Sequence, residues 1–177
     1  MTQNSGRVVD PRPLLQIHGS APLMLLRGTH RRAAEEMSGW REAGLEVRLL
    51  RGRKMRTVSR LFDEVSAALQ FPYYFGGNWA AFEECLSDLD WVPSRAGAVA
   101  VVIDADEVLL DEPDAEMTVL VQALHQASAT YAEPINLGEW WDRPALPFHV
   151  VLQAAADRED LVRRRWGASG AALSALS

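Results

Sequence analysis

The sequence contains one cysteine, no apolar run long enough to cross a membrane, and very little positive charge in its central part. Cys85 is the single cysteine among 177 residues, which excludes an internal disulfide and a cysteine zinc cluster. No apolar run approaches the ~18 residues of a membrane span, and the N-terminus lacks the apolar core of a signal peptide. We therefore expect a protein of the reducing cytoplasm, without a membrane partner.

The charges are distributed unevenly along the chain. Residues 1–60 carry 12 basic and five acidic side chains. Residues 61–150 carry 16 acidic side chains, and their only cations are Arg95 and Arg143. A surface with this balance repels nucleic acid and attracts cationic partners. An ordinary solvated surface explains the same composition, so charge alone leaves both interpretations open.

Apolar runs of strand length alternate with segments of helical periodicity. The predicted strands are 22–26, 45–50, 98–103 and 148–153, and the predicted helices are 29–43, 57–69, 79–89, 116–131 and 157–166. Strands separated by helices pair in parallel, and the most apolar runs, near 100 and 150, form the inner strands. The predicted fold class is α/β, a small three-layer-like domain whose helices pack on a parallel sheet of three to four strands.

The chain divides into four predicted parts. These are a flexible N-terminal arm (1–20), a strand–helix extension (21–44), a central domain (45–156), and a C-terminal helix with a frayed tail (157–177). The arm is predicted because its start is polar and is broken by Pro11 and Pro13. The extension is expected to add an edge strand to the sheet.

The loop at 71–77 is predicted to be rigid and to lead directly into a helix. Pro72 fixes one backbone torsion, and Gly76 with Gly77 permits a sharp reversal that residues with a Cβ resist. Asn78 occupies the position of an N-cap, where its side-chain oxygen accepts from a free N–H group of the first turn.

The helix that follows is predicted to be amphipathic. Its apolar residues face the core, which leaves Glu83, Glu84 and Asp88 facing solvent. Tyr73 and Tyr74 lie just before this acidic face. Tyrosines beside carboxylates are typical of a protein-binding surface, because tyrosine supplies contact area and carboxylates bind arginine. The alternative is that the tyrosines belong to the core and the carboxylates only solvate the helix.

The run PYYFGGNWAAFEECL at 72–86 resembles the signature of the barstar family, small inhibitors of secreted bacterial ribonucleases. The flanking order is similar too, since the strands at 45–50, 98–103 and 148–153 correspond to the three strands of that family. The resemblance covers roughly residues 45–155 of the 177. It implies a barstar-like domain whose loop and helix plug the active site of a ribonuclease.

The resemblance also implies roles for individual residues. By position, Tyr74 is the tyrosine that packs against the enzyme, and Glu84 is the acid that occupies the site of a substrate phosphate. The predicted partner-binding residues are Tyr73, Tyr74, Gly76, Asn78, Trp79, Glu83, Glu84, Ser87 and Asp88. The implied partner is a cationic protein, a ribonuclease or toxin nuclease domain, and not a nucleic acid. The resemblance implies no catalysis, and no metal or other cofactor is predicted.

The sequence departs from the family pattern within the helix. Ala80 stands where the family has an aspartate, Glu84 is longer than the family's acid, and residues 118–132 contain no carboxylate. These differences favour either a different toxin or a non-inhibitory binding or regulatory module. Such a module would use another surface, for example the loop with Trp140 and Trp141. These two indoles form either a lid over the core or a second binding patch.

A third interpretation rests on the acids after the central strand. The acids Asp104, Asp106, Asp111 and Asp114 lie where α/β proteins tend to bind ligands, at the carboxyl end of a strand. A solvated loop explains them, and so does an α/β enzyme acting on a cationic small molecule. The enzyme requires a deep pocket at this strand end. Cys85 is expected in the core rather than as a nucleophile, because it lies on the apolar side of its helix.

Overall fold

The computed structural model describes residues 9–17, 23–89 and 97–176. Of the predicted arm and extension, residues 1–8 and 18–22 lie outside this range, as does Ser177 of the predicted tail. The described residues form β1 (Leu23–Arg27), α1 (His30–Glu42), β2 (Glu46–Arg51), α2 (Val58–Ala68), α3 (Trp79–Ser87), β3 (Ala98–Ile103), α4 (Asp114–Ala132), β4 (Phe148–Ala154), α5 (Glu159–Ala168) and β5 (Ser174–Ala175). The predicted α/β class is confirmed.

All five strands belong to one parallel sheet in the order β2-β3-β4-β1-β5. The apolar strands β3 and β4 are inner strands, as predicted, and Val101 of β3 lies between Leu49 and Val151 of its neighbours. The sheet has one strand more than the upper limit of the prediction. β1 pairs with β4 on one side and β5 on the other, so the prediction that the extension adds an edge strand is wrong.

The C-terminal tail supplies the additional strand. Gly170, with φ +91°, follows α5 in a conformation that favours glycine and turns the chain back towards the sheet. The Leu176 N–H donates to the Leu25 carbonyl oxygen at 2.9 Å, and the Leu176 side chain is buried. The prediction of a frayed tail is therefore wrong for residues 171–176, because their leucines complete the apolar layers on the sheet.

Helices cover both faces of the sheet. Ala100 and Val102 of β3 point into the larger core, which packs under α2, α3, α4 and α5. Val99 and Val101 point to the other face, where α1 covers them with the buried Trp40. Alternate residues of one strand thus enter two separate cores, which requires three layers.

Residues 9–17 also belong to the second core. Val9 and Leu14 are buried, and the Val9 N–H donates to Glu36 Oε2 at 2.7 Å. His149 Nε2 and the Gln16 carbonyl oxygen are hydrogen-bonded at 2.8 Å. This part of the predicted arm is consequently not loose, because Val9 and Leu14 pack into the core on the face of the sheet that α1 covers.

Candidate protein-binding site

The loop before α3 is held by its phenylalanines and presents its tyrosines. The Phe75 ring packs edge-on against Phe62 and Phe71, with ring centroids 5.6 and 5.3 Å apart. Tyr73 is 100% exposed and Tyr74 is 72% exposed. The spacing explains this arrangement, because the phenylalanines at both ends of the segment pack against the core and leave the two tyrosines between them facing solvent.

The start of α3 is fixed by a cap and a glycine turn. Asn78 Oδ1 accepts from the Ala81 N–H at 3.0 Å, as the sequence predicted. Gly77 has φ +63°, a conformation that residues with a Cβ rarely adopt. The glycine turn and the cap therefore fix the position at which α3 begins relative to the loop.

The inner face of α3 packs into the larger core. Phe82, Cys85 and Leu86 are buried, and the half-buried Trp79 ring packs at 5.0 Å from Phe62. Burial is the largest cause that raises the pKa of the Cys85 thiol, and the neighbouring carboxylates raise it further. The thiol remains protonated at neutral pH, in agreement with its prediction as a core residue.

The outer face of α3 carries the predicted acids. Glu83, Glu84 and Asp88 are exposed, and none of them forms an ion pair with any residue that the structure describes. Glu84 and Asp88 are one helical turn apart and share a surface depression of about 210 Å³ with Tyr74. Its floor includes Cys85 and Leu89. The predicted tyrosine and carboxylates thus meet around one concave surface.

The predicted partner-binding residues differ in exposure. Seven are exposed and two are half-buried; the exposed ones are Tyr73, Tyr74, Gly76, Asn78, Glu83, Glu84 and Asp88, and the half-buried ones are Trp79 and Ser87. Asn78 caps α3 and Trp79 packs on Phe62. Through these contacts within the protein, Asn78 and Trp79 position the acidic face of α3.

Several acids that follow β3 have cationic neighbours. Arg56 binds Asp111 at 2.6 Å and also pairs with Glu107. Asp104 lies 2.5 Å from His30 Nε2. The negative charge counted over 61–150 is therefore partly compensated after β3, whereas no cation among the described residues pairs with the outward acids of α3.

The geometry at the carboxyl end of the sheet bears on the interpretation of this protein as an enzyme. The carboxyl end of the sheet has an open depression of about 410 Å³, lined by Thr29, His30, Asp104 and Gln153 among others. It is not the deep pocket that this interpretation requires. Gln153 accepts from the Asp104 N–H and donates to the Gly28 carbonyl oxygen, so its amide is already used within the fold.

The loop with Trp140 and Trp141 does not cover the core. Trp140 is 90% exposed and Trp141 is 47% exposed, while Leu146 is the residue that enters the core nearby. The interpretation of the two indoles as a lid is therefore wrong. A second binding patch remains as the interpretation of this loop.

Two residues that support α3 were not identified from the sequence. Glu116 Oε2 accepts from Trp79 Nε1 at 2.7 Å, and the buried Tyr131 hydroxyl accepts from the Leu89 N–H at 2.7 Å. Both lie on α4. Helical periodicity places Tyr131 on the inner face of α4, but the backbone groups at the end of α3 that it satisfies have no signal in the sequence.

Within 9–17, 23–89 and 97–176, no three His, Cys, Asp or Glu side chains are grouped so that they could hold a metal ion. No helix in the same ranges is both apolar and long enough to cross a bilayer.

Comparison with solved structures shows remote likenesses. The chain aligns with Cdc6p from Pyrobaculum aerophilum at 15% identity, covering 89% of this chain and 38% of that one, with a TM-score of 0.49. It aligns with Drosophila ORC bound to DNA at 11% identity, covering 89% and 81%, with a TM-score of 0.48. The chain thus spans well under half of the Cdc6p chain. No curated protein matches the sequence.

Comparison with family models gives a match that contains the whole site. The model described as Barstar (barnase inhibitor) matches residues 45–153, which is more than half of the chain. The match includes the aromatic loop, α3 with its exposed carboxylates, and strands β2 and β3. The chain therefore belongs to the barstar family of barnase inhibitors.

Proposed function

We propose that this protein is a barstar-like inhibitor that binds a cationic bacterial ribonuclease, or a related toxin nuclease domain, and blocks its active site. The observation that carries the proposal is the acidic face of α3, whose carboxylates pair with no described cation, beside the exposed Tyr74 and within the region that matches the family. The proposal includes a cytoplasmic location, a role as antitoxin or immunity protein, and no reaction catalysed by the chain itself.

The chemistry of ribonucleases explains why an acidic helix can block them. An enzyme that cleaves RNA holds cationic side chains where the phosphates bind. Carboxylates form strong, often bidentate hydrogen bonds with arginine, and a side-chain carboxylate offers no phosphodiester to cleave. Glu84 therefore satisfies the cations of the enzyme and remains intact.

The rigidity of the site favours tight binding. The cap at Asn78, the phenylalanine contacts of the loop and the buried inner face hold α3 in place before any partner arrives. A surface that is ordered in advance loses less conformational entropy on binding. The exposed carboxylates also attract a cationic partner over a distance, which raises the association rate at low salt.

The proposal is tested by binding to defined ribonucleases. The probes are barnase and other small basic bacterial ribonucleases, each inactivated in its active site. The variants are Glu84→Gln and Tyr74→Ala, and the matched control is Glu42→Gln on α1, an exposed acid behind the opposite face of the sheet. We expect each test variant to lose roughly 30-fold in affinity, about 2 kcal/mol, and the control to bind like the unaltered protein.

Salt adds a second readout to the same experiment. Affinity should fall between about 50 mM and about 300 mM KCl, and the loss caused by Glu84→Gln should shrink at the higher concentration. If the unaltered protein binds no ribonuclease, or if Glu84→Gln binds as well as Glu42→Gln, the proposed function is wrong.

A second candidate function is favoured by Ala80, which is exposed on the first turn of α3 where the family has an aspartate. A non-inhibitory binding module needs no complete acidic face and would use the Trp140 loop alone. Its signature is a partner whose affinity falls with Trp140→Ala and is unchanged by Glu84→Gln.

A further inference from the structure

The loop with the exposed tryptophans is held in one conformation by its own hydrogen bonds. Ile135 and Arg143 form an antiparallel bridge, with N–H to carbonyl distances of 2.8 and 3.1 Å. Inside this bridge, Asp142 accepts from the N–H groups of Leu137 and Gly138 at 2.9 and 2.8 Å. We call residues 135–143 the Trp loop.

The one cation of the Trp loop is turned inward. The Arg143 guanidinium donates to the carbonyl oxygens of Thr130 and Glu133 at 2.9 and 3.0 Å and lies 4.9 Å above the Tyr131 ring. Glu133 and Glu139 are exposed and form no ion pair with any described residue. On the outward surface around the Trp loop, these two carboxylates therefore have no ion-pair partner among the residues that the structure describes.

Apolar side chains stand among these carboxylates. Leu137 is 72% exposed and Trp140 is 90% exposed, and the Trp140 and Trp141 rings pack edge-on at 5.3 Å. Tryptophan is enriched among the residues that contribute most to binding energy at protein interfaces. Exposed apolar groups rimmed by polar ones are typical of interaction surfaces.

The Trp loop is connected to the acidic helix through one residue. The Tyr131 hydroxyl donates to the Leu86 carbonyl oxygen at 3.3 Å and accepts from the Leu89 N–H, at the end of α3 that carries Asp88. Arg143 lies over the same ring. The C-terminal end of α3 and the base of the Trp loop are thus separated by a single side chain.

We propose that the Trp loop is a second contact segment for the same cationic ribonuclease, with Trp140 as its apolar anchor. This inference rests on the proposed function. The charge of the loop matches the charge of the α3 face, and the base of the loop lies one side chain away from the end of α3 that carries Asp88, so one cationic partner complements both. A second copy of this chain or an anionic lipid surface would meet like charge from Glu133 and Glu139.

The two surfaces contribute to binding through different interactions. The acids of α3 supply attraction that depends on salt, whereas the indole of Trp140 supplies burial of apolar area that does not. Loss of the indole should therefore shorten the lifetime of the complex and leave the association rate unchanged. Loss of Glu133 and Glu139 should lower the association rate at low salt.

The test measures binding kinetics with the inactivated ribonuclease that the unaltered protein binds best. We expect Trp140→Ala to raise the dissociation rate about 10- to 30-fold at both ~50 mM and ~300 mM KCl. The matched control is Leu110→Ala, which removes an exposed apolar side chain after β3, beyond the opposite end of the sheet. It should change no rate. Because Trp140 is so exposed, its loss should leave the thermal unfolding curve unchanged.

The outcomes separate the two proposals. If Glu84→Gln weakens binding and Trp140→Ala does not, the Trp loop is not a contact and the inhibitor proposal stands. If no ribonuclease binds, both proposals fall. If Trp140→Ala instead abolishes a dimer of the unaltered protein in sedimentation, or its binding to neutral lipid vesicles, the occupant named here is wrong.

Discussion

The Trp79 indole Nε1 donates a 2.7 Å hydrogen bond to Glu116 Oε2, which joins the first turn of α3 to the first turn of α4. This contact fixes the N-terminal end of the helix that carries Glu84. In a double-mutant cycle of Trp79→Phe and Glu116→Ala, we expect a coupling of about 1 kcal/mol in the free energy of unfolding. Urea denaturation measures it, and a coupling near zero would show that the bond holds nothing in place.

The opposite end of α3 depends on Tyr131. Its hydroxyl bonds to the backbone of Leu86 and Leu89, and its ring stacks on Phe148 at 5.4 Å. Tyr131→Phe keeps the ring and leaves the buried Leu89 N–H without this acceptor, at a cost of roughly 1–3 kcal/mol. Hydrogen exchange should show faster exchange at the Leu89 amide than in the unaltered protein, with the middle of α4 unaffected. Equal rates at Leu89 would contradict this role.

Local signals in the sequence predicted much of the fold and of the site. Asn78 caps α3 through the Ala81 N–H as predicted, because capping depends only on neighbouring residues, and Thr29 and Thr57 cap α1 and α2 in the same way. The exposure of the α3 acids follows in the same way from helical periodicity. Strand pairing is different, since nothing local to Ser174–Ala175 indicates that these residues pair with β1. The partners of the acids after β3, such as Arg56, also come from distant parts of the chain.

The N-terminal segment should be indispensable for folding. The region that matches the family begins at residue 45. Its strands direct Val99, Val101 and Val151 towards the face of the sheet that α1 covers, and α1 precedes this region. A protein lacking residues 1–44 loses that cover together with β1, and we expect it to aggregate. The single substitution Trp40→Ala should cost about 3–5 kcal/mol, because Trp40 is fully buried. Arg31→Ala on the exposed side of α1 is the control. A soluble truncated protein with a cooperative unfolding transition would contradict the prediction.

Two ion pairs allow a prediction of how the free energy of unfolding changes as the pH falls. The hydrogen bond from Arg51 lowers the pKa of Glu64 below its ordinary 4.5, and that from Arg56 lowers the pKa of Asp111 below 3.8. Each carboxylate has a lower pKa in the folded protein than in the unfolded chain. The ion pair therefore stabilises the fold at pH values above the pKa of the unfolded chain, and this stabilisation is lost as the pH falls through the pKa of the folded protein. We expect the stability difference between the unaltered protein and Arg51→Gln to be smaller at about pH 3 than at about pH 7.

Denaturant unfolding at the two pH values measures this difference. Arg53→Gln is the control, because Arg53 is exposed and forms no ion pair with any described residue. Its effect on stability should not change with pH. A difference for Arg51→Gln that persists undiminished in acid would mean that its contribution comes from packing of the side chain rather than from charge.

Ala80 offers a gain-of-function test of the acidic face. It is exposed at the second helical position of α3, after the cap at Asn78 and beside the outward carboxylates. A carboxylate at this position also interacts favourably with the helix dipole, worth about 0.3–1 kcal/mol. Ala80→Asp should therefore raise the stability slightly and increase the affinity for inactivated barnase at least tenfold, or about 1.4 kcal/mol. Ala80→Asn introduces a side chain with the shape of aspartate but without its charge, so comparing the two variants separates the effect of charge from the effect of contact area. If both variants bind barnase equally, added charge on this turn does not determine which ribonuclease the protein recognises.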